Sequence, residues 1–236
     1  MGIKRASDPK RGVPLRVLIS AGPTREPIDP VRFISNSSTG YMGAQLAAAA
    51  LARGHRVTVV SGPSVEPLPD GARVIPVVDT KAMERALHAE AARADVIIMA
   101  AAVADFRPVR PAAVKVRRHA RLTLQLEATP DIIARLPRRA NQMVVGFALE
   151  TGDVVSKAER KLRAKRLDLL LAQRVHPRTV VSAGGSPFGR HPVHAWLLAR
   201  GDAASEIGQV SKSKVARVLL DKIEALWYGQ REPERS

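Results

Sequence analysis

The chain has 236 residues, with 38 Lys plus Arg against 22 Asp plus Glu and a formal net charge of +16. Hydrophobic residues make up 45%, which excludes a disordered basic tail, and the absence of cysteine removes disulfides, thiolate nucleophiles and Cys-based zinc sites. No apolar run approaches the ~20 residues that cross a bilayer, so no membrane partner and a cytoplasmic location are expected; the charge is left to nucleic acid, an acidic small molecule or solubility.

Residues 1–14 are polar, basic and aperiodic and read as a flexible arm. Arg16 to Ser20 (RVLIS) is a short apolar run ended by Gly22 and Pro23, which predicts a buried strand. A long polar connection follows, up to Thr39. A helix is expected from about Gly40 to Arg53, with Gly54 as its cap. Strands follow at Arg56 to Val60 and Arg73 to Val78, then a helix over Lys81 to Arg93 capped by Asp79 or Thr80, and an apolar strand at Asp95 to Ala100. Lys115 to Arg118 and Leu122 to Leu126 alternate polar and apolar residues, which suits a short antiparallel excursion. Met143 to Ala148, a basic helix over Val154 to Arg166, and strands at Asp168 to Ala172 and Ala195 to Ala199 resume the alternation. A last amphipathic helix is expected over Ser211 to Leu226. The pattern is an α/β fold: a three-layer, Rossmann-like, mostly parallel sheet with helices on both faces. One domain over 15–228 is expected, with a polar tail at 229–236.

Four stretches could carry chemistry. In the first, Gly40 and Gly43 open a helix whose free N–H groups could hold an anion, beside the hydroxyls of Ser37, Ser38 and Thr39. A serine-rich helix cap reads equally from the same residues. Neither the Gly-x-Gly-x-x-Gly fingerprint nor a Walker A lysine is present, which argues against an NAD(P)-binding protein. In the second, AAAVADFRP ends an apolar strand; its small residues allow a ligand close to the backbone, and Asp105 could hold a hydrated Mg2+ or pair with Arg107. The third is the basic segment from Lys115 to Arg121, able to offset a polyphosphate or to guard an exposed strand edge. The fourth is GFALET, followed by Lys157, Lys161 and Lys165 on one helix face, where stacked like charges favour a bound anion. The six histidines are scattered and form no metal motif.

Taken in order, GPTREPIDPVRFISNSSTGYMG, AAAVADFRP, KVRR, TPDI, VVGFALETGD, KLRAKRLDLLLA and SKSKVA resemble phosphopantothenoylcysteine synthetase (phosphopantothenate–cysteine ligase), the ligase domain of the bacterial coenzyme A biosynthesis bifunctional protein. The match runs from about Arg16 to Leu226. The resemblance implies CTP-dependent ligation of 4'-phosphopantothenate with L-cysteine through an acyl-cytidylate, with Mg2+. ATP in place of CTP, or a basic nucleic-acid-binding module, are the alternatives; few aromatics and dispersed cations count against nucleic acid. The resemblance assigns Asn36 to the acyl-cytidylate and Lys115 to its formation. It assigns Gly22, Ser37, Ser38, Gly40, Gly43, Ala102, Asp105, Gly146, Phe147, Ala148, Lys161 and Lys165 to nucleotide binding, with Asp105 near the metal. It also implies a homodimer and, since no flavin-dependent half is seen in the sequence, a separate decarboxylase in the pathway. The basic motif reads Lys-Val-Arg-Arg where lysines are usual, and Gln173 stands where asparagine is common.

Overall fold

The structure is a computed structural model that describes residues 12–175 and 187–229. Most of the expected arm and of the expected tail, and His176, lie outside the described residues. Its centre is an eight-stranded sheet in the order β12-β11-β10-β9-β6-β1-β4-β5. Strand β1 is Arg16–Ala21, β4 is Arg56–Ser61, β5 is Arg73–Pro76, β6 is Val96–Met99, β9 is Met143–Glu150, β10 is Leu169–Arg174, β11 is Val193–Ala199 and β12 is Ser205–Val210. Strands β5 to β10 across the sheet run parallel; β11 and β12 pair antiparallel at the far edge.

The strands lack polar alternation because both sheet faces are covered. On β1, Val17 and Ile19 enter one core with helices α1 (Tyr41–Ala52) and α5 (Lys212–Gly229). Leu18 enters the other, with α2 (Thr80–Ala91), the short α3 (Ile132–Arg135) and α4 (Val154–Ala164). Side chains of successive strand residues point to opposite faces, so a wholly apolar strand is what a doubly covered sheet demands. Helix α1 starts where Gly40 adopts φ 83°, a conformation that favours glycine. A Cβ on Gly43 would lie 2.4 Å from the Ala21 Cβ, so the absent side chain sets how closely α1 approaches β1. Asp79 caps α2 by accepting from Ala82 N at 2.7 Å, as its sequence position predicts.

The expected mostly parallel, doubly covered sheet is therefore the observed one. Three local expectations differ. The connection before α1 is not merely polar loop: Arg25–Pro27 (β2) and Phe33–Ser35 (β3) pair as an antiparallel hairpin. The antiparallel excursion exists, but it pairs β7 (Phe106–Pro108) with β8 (Leu126–Ala128). No strand forms over 115–118 or 122–125. There the backbone is tied elsewhere: Val116 N donates to Asp29 Oδ2 at 3.1 Å and Val116 O accepts from Arg32 at 2.7 Å. The third difference is β12, an edge strand in which Ser205, Glu206 and Gln209 are exposed and Ile207, Gly208 and Val210 are partly buried.

Candidate functional site

The chain leaves β1 toward β4 on one side and returns through β6 on the other, so the strand order reverses between β1 and β6. In such sheets the crevice at the carboxyl ends of the strands is where ligands bind. A cleft of about 620 Å³ opens there.

One wall is the β1–α1 connection, with Asn36, Ser38 and Thr39; the floor is Met99 to Val103 after β6, with Phe147 and Ala148 of β9. The other wall carries Asp131, Lys161 and Lys165, and Lys212 closes one end beside Pro187 and Gly189. Asn36 holds the first wall to the floor: its Nδ2 donates to Ala102 O at 3.0 Å and to Val103 O at 2.9 Å.

The turn after β6 is fixed from beneath by a directional relay. Ala104 N donates to Thr24 Oγ1 at 2.9 Å, Thr24 Oγ1 stands 3.1 Å from Thr80 Oγ1, and Thr80 donates to the buried Glu26 carboxylate at 2.7 Å. Thr80 N also donates to Glu26 at 2.9 Å, so the amino end of α2 holds the buried side chain, and no cation pairs with it among the described residues. These bonds place Asp105, an exposed residue, at the cleft mouth.

The lysines on α4 are not left as a repelling stack. Lys157 donates to Thr151 O at 2.7 Å, Lys161 to Phe147 O at 3.0 Å, and Lys165 pairs with Asp131 at 3.0 Å. Burial pushes the Lys161 ammonium below the ordinary lysine range, and the nearby Lys165 charge adds to this against Glu150, Asp105 and Asp131. Lys212 is 3% exposed and donates at 2.7 Å to both Pro187 O and Gly189 O. Burial brings it down to about 8, with Glu66 opposing.

Among the residues singled out from the sequence, Asn36, Ser38, Ala102, Asp105, Phe147, Ala148, Lys161 and Lys165 meet in the cleft. Gly22, Gly40 and Gly43 shape the β1–α1 junction behind it, Ser37 is exposed, and Gly146 packs against Leu167. Lys115 is exposed and does not line the cleft; its segment belongs to the β2–β3 hairpin through Val116. Asp131 and Lys212 were not singled out. The motifs TPDI and SKSKVA contain them, but nothing in a sequence marks a lysine as buried.

Residues 14–226 match the family described as the DNA/pantothenate metabolism flavoprotein C-terminal domain. The chain belongs to that family. It is 40% identical over 213 residues to the coenzyme A biosynthesis bifunctional protein CoaBC of Bacillus subtilis, covering 89% of this chain and 51% of that protein. It is 38% identical over 212 residues to a cysteine/cysteine sulfinic acid decarboxylase of an unknown prokaryotic organism, covering 88% of this chain and 57% of that one. The chain thus spans about half the length of these relatives. Among solved structures, a C-terminal domain of CoaBC superposes with a TM-score of 0.75 at 33% identity, over 91% of this chain and 96% of that chain. A Cab2 variant in complex with phosphopantothenate-cysteine shares the fold, with a TM-score of 0.69 at 18% identity over 92% of this chain and 88% of that one.

These likenesses correct several expectations. The synthetase resemblance gives way to the flavoprotein family, and the ligase activity is withdrawn with it: a relative aligned over 88% of this chain is named a decarboxylase. Free phosphopantothenate and L-cysteine, expected as the substrates of that ligation, are withdrawn with it. CTP, its ATP alternative and Mg2+ are withdrawn too, since the family is named for a flavin protein. Among the described residues no three His, Cys, Asp or Glu come together to hold a metal ion. The separate decarboxylase is corrected as well, because the Bacillus subtilis relative is itself bifunctional. No helix among the described residues is long and apolar enough to cross a membrane.

The family's description implies a flavin, and the cleft residues do not fit one. Its floor is a run of alanines at 100–102 continued by Val103, which brings no polar side chain to the hydrogen-bonding edge of a flavin ring. Among the described residues no histidine lines it, and the chain has no cysteine. No step is routed through a flavin.

Proposed function

We propose that this domain serves coenzyme A biosynthesis by binding phosphopantothenate-cysteine in the cleft between β1 and β6. The observation that carries the reading is the arrangement of Lys161, Lys165 and Lys212 around an otherwise small-residue, partly apolar cleft. The ligand has a phosphate at one end, a carboxylate at the other and an amide-rich chain between them. Lysine ammonium groups match the anionic ends, and alanine walls let the chain lie against backbone donors and acceptors. The bifunctional coenzyme A relatives and the ligand of the Cab2 complex support the same compound. Asn36 acts on this reading by keeping the 102–103 carbonyls in place, and Asp105 by marking the mouth.

Isothermal titration with phosphopantothenate-cysteine tests this. Saturable one-to-one binding is expected, weakened at least tenfold in the double substitution Lys161→Ala, Lys165→Ala. Absence of saturable binding by the folded protein sinks the reading. FMN fluorescence followed in the same samples is expected to show no stoichiometric quenching; quenching would overturn the poor fit of the flavin.

A further inference from the structure

The opposite edge of the sheet holds a second concentration of charge. Arg16, Arg56 and Arg73 are the first residues of β1, β4 and β5, three adjacent parallel strands. Arg16 and Arg56 are direct register partners. Three cations begin neighbouring strands on one edge, and Arg93 joins them from just beyond α2. Like charges on adjacent strands cost stability unless something compensates them.

Compensation is only partial. Arg16 donates to Asp95 at 2.7 Å and 3.1 Å, and Arg73 pairs with Glu90. The guanidinium groups of Arg56 and Arg93 have no ion pair or hydrogen bond among the described residues. All four arginines line one cavity of about 460 Å³, whose wall includes Val57, Thr58 and Gly71. Elsewhere the surplus arginines are engaged by the fold: Arg138 donates to Arg166 O at 2.6 Å, Arg139 to Ala94 O at 2.6 Å, and Arg135 faces Glu84 at 3.6 Å.

We propose that this cavity binds a phosphate monoester at a site separate from the cleft. Two unpaired guanidinium groups match a dianion, and guanidinium forks suit the oxygens of a phosphate. The cavity is larger than a bare phosphate needs, and the exposed, side-chain-free Gly71 leaves room there for the organic group. Strand β1 separates the two sites: Arg16 opens it and Ala21 leads to the cleft, a span of roughly 17–20 Å for a strand of that length.

The test is a titration of the whole chain with phenyl phosphate and with inorganic phosphate at fixed ionic strength, read by the Nε–Hε NMR signals of arginine. Saturable movement of the Arg56 and Arg93 signals is expected. Read from the remaining Arg16 and Arg73 signals, the double substitution Arg56→Gln, Arg93→Gln is expected to weaken phenyl phosphate at least tenfold, while in Lys161→Ala, Lys165→Ala the titration of the Arg56 and Arg93 signals is unchanged. Unmoved Arg56 and Arg93 signals, movement reproduced by chloride, wild-type affinity in the arginine variant, or a response confined to an RNA oligonucleotide would each overturn the site. Because the cleft variant is a separate arm, failure of the cleft reading does not decide this one.

Discussion

Lys165 stands within 3.0 Å of Asp131 Oδ2 on the same wall of the cleft, so a cation proposed to meet an anionic ligand already has a carboxylate partner. Asp131 also caps α3, accepting from Ala134 N at 3.1 Å. The Asp131 carboxyl is held below its usual range because Lys165 and the α3 amides outweigh the burial that would raise it. An anionic ligand must therefore compete with Asp131 for Lys165.

Asp131→Asn tests that competition. Asparagine is a good helix cap, so α3 is retained while Lys165 is released. Binding of phosphopantothenate-cysteine is expected to tighten roughly two- to fivefold, in keeping with the modest strength of a partly exposed ion pair. Weaker binding in calorimetry would show that Asp131 serves the ligand directly.

Lys212 gives a pH dependence of definite sign. Its folded-state value, about 8, lies below that of an unfolded lysine, ~10.4. Between those values the unfolded chain binds more protons than the native one, so this group makes the protein more stable as pH rises through that window. Lys161 is shifted the same way and adds to the trend. In urea unfolding at pH 7.5 and pH 9.5 (values chosen near the ~8 to ~10.4 window), Lys212→Met is expected to reduce the gain seen in the wild type. An undiminished gain would exclude Lys212 as its source.

Asp29 governs the segment that carries Lys115. Its carboxylate is 3% exposed, pairs with Arg32, and accepts from Val31 N at 2.8 Å and Val116 N at 3.1 Å. Burial alone would raise the carboxyl; Arg32 and these amides hold it far below the ordinary range. Its stabilising contribution is therefore complete above an unfolded aspartate's ~3.9 and is lost as pH falls through the lower folded value. Asp29→Asn is expected to loosen residues near Val116, and brief trypsin treatment should cut after Lys115, Arg117 or Arg118 faster than in the wild type. Equal cutting rates would mean that Asp29 does not hold this segment.

Gly43→Ala probes the contact behind the cleft. The new methyl would stand 2.4 Å from the Ala21 Cβ and 3.2 Å from its Cα, too close without moving α1 from β1. A loss of ~1–3 kcal/mol is expected from such overpacking. Denaturant unfolding measures it, and an unchanged midpoint would show that the junction yields freely.

Most of the sheet was legible because its strands are short, apolar runs ended by glycine or proline, as RVLISA before Gly22 shows. The β2–β3 hairpin was not legible: Pro27 and Pro30 and the charged residues around them resemble loop chemistry, and Asp29 with Arg32 closes the turn only in three dimensions. Alternation at Leu122 to Leu126 suggests a strand, yet only its last residue enters β8, and the residue before it is held by a single bond, Gln125 O accepting from Val109 N at 3.0 Å. Strand β12 has no continuous apolar run because it lies at the sheet edge. The cleft was legible on its glycine-, serine- and alanine-rich side. Asp131 and Lys212 depended on which distant carbonyls and ammonium groups the fold brings beside them.

Asn36 engages both amide hydrogens with carbonyls of the turn after β6. The two rims joined in this way lie 66 positions apart in the chain, and deeper in the crevice Thr24 N donates to Ala102 O at 3.3 Å and Ala102 N to Gly22 O at 2.9 Å. A substitution at Asn36 would consequently free the outer lip of the crevice on both sides at once, while the bonds through Gly22 and Thr24 keep its base joined.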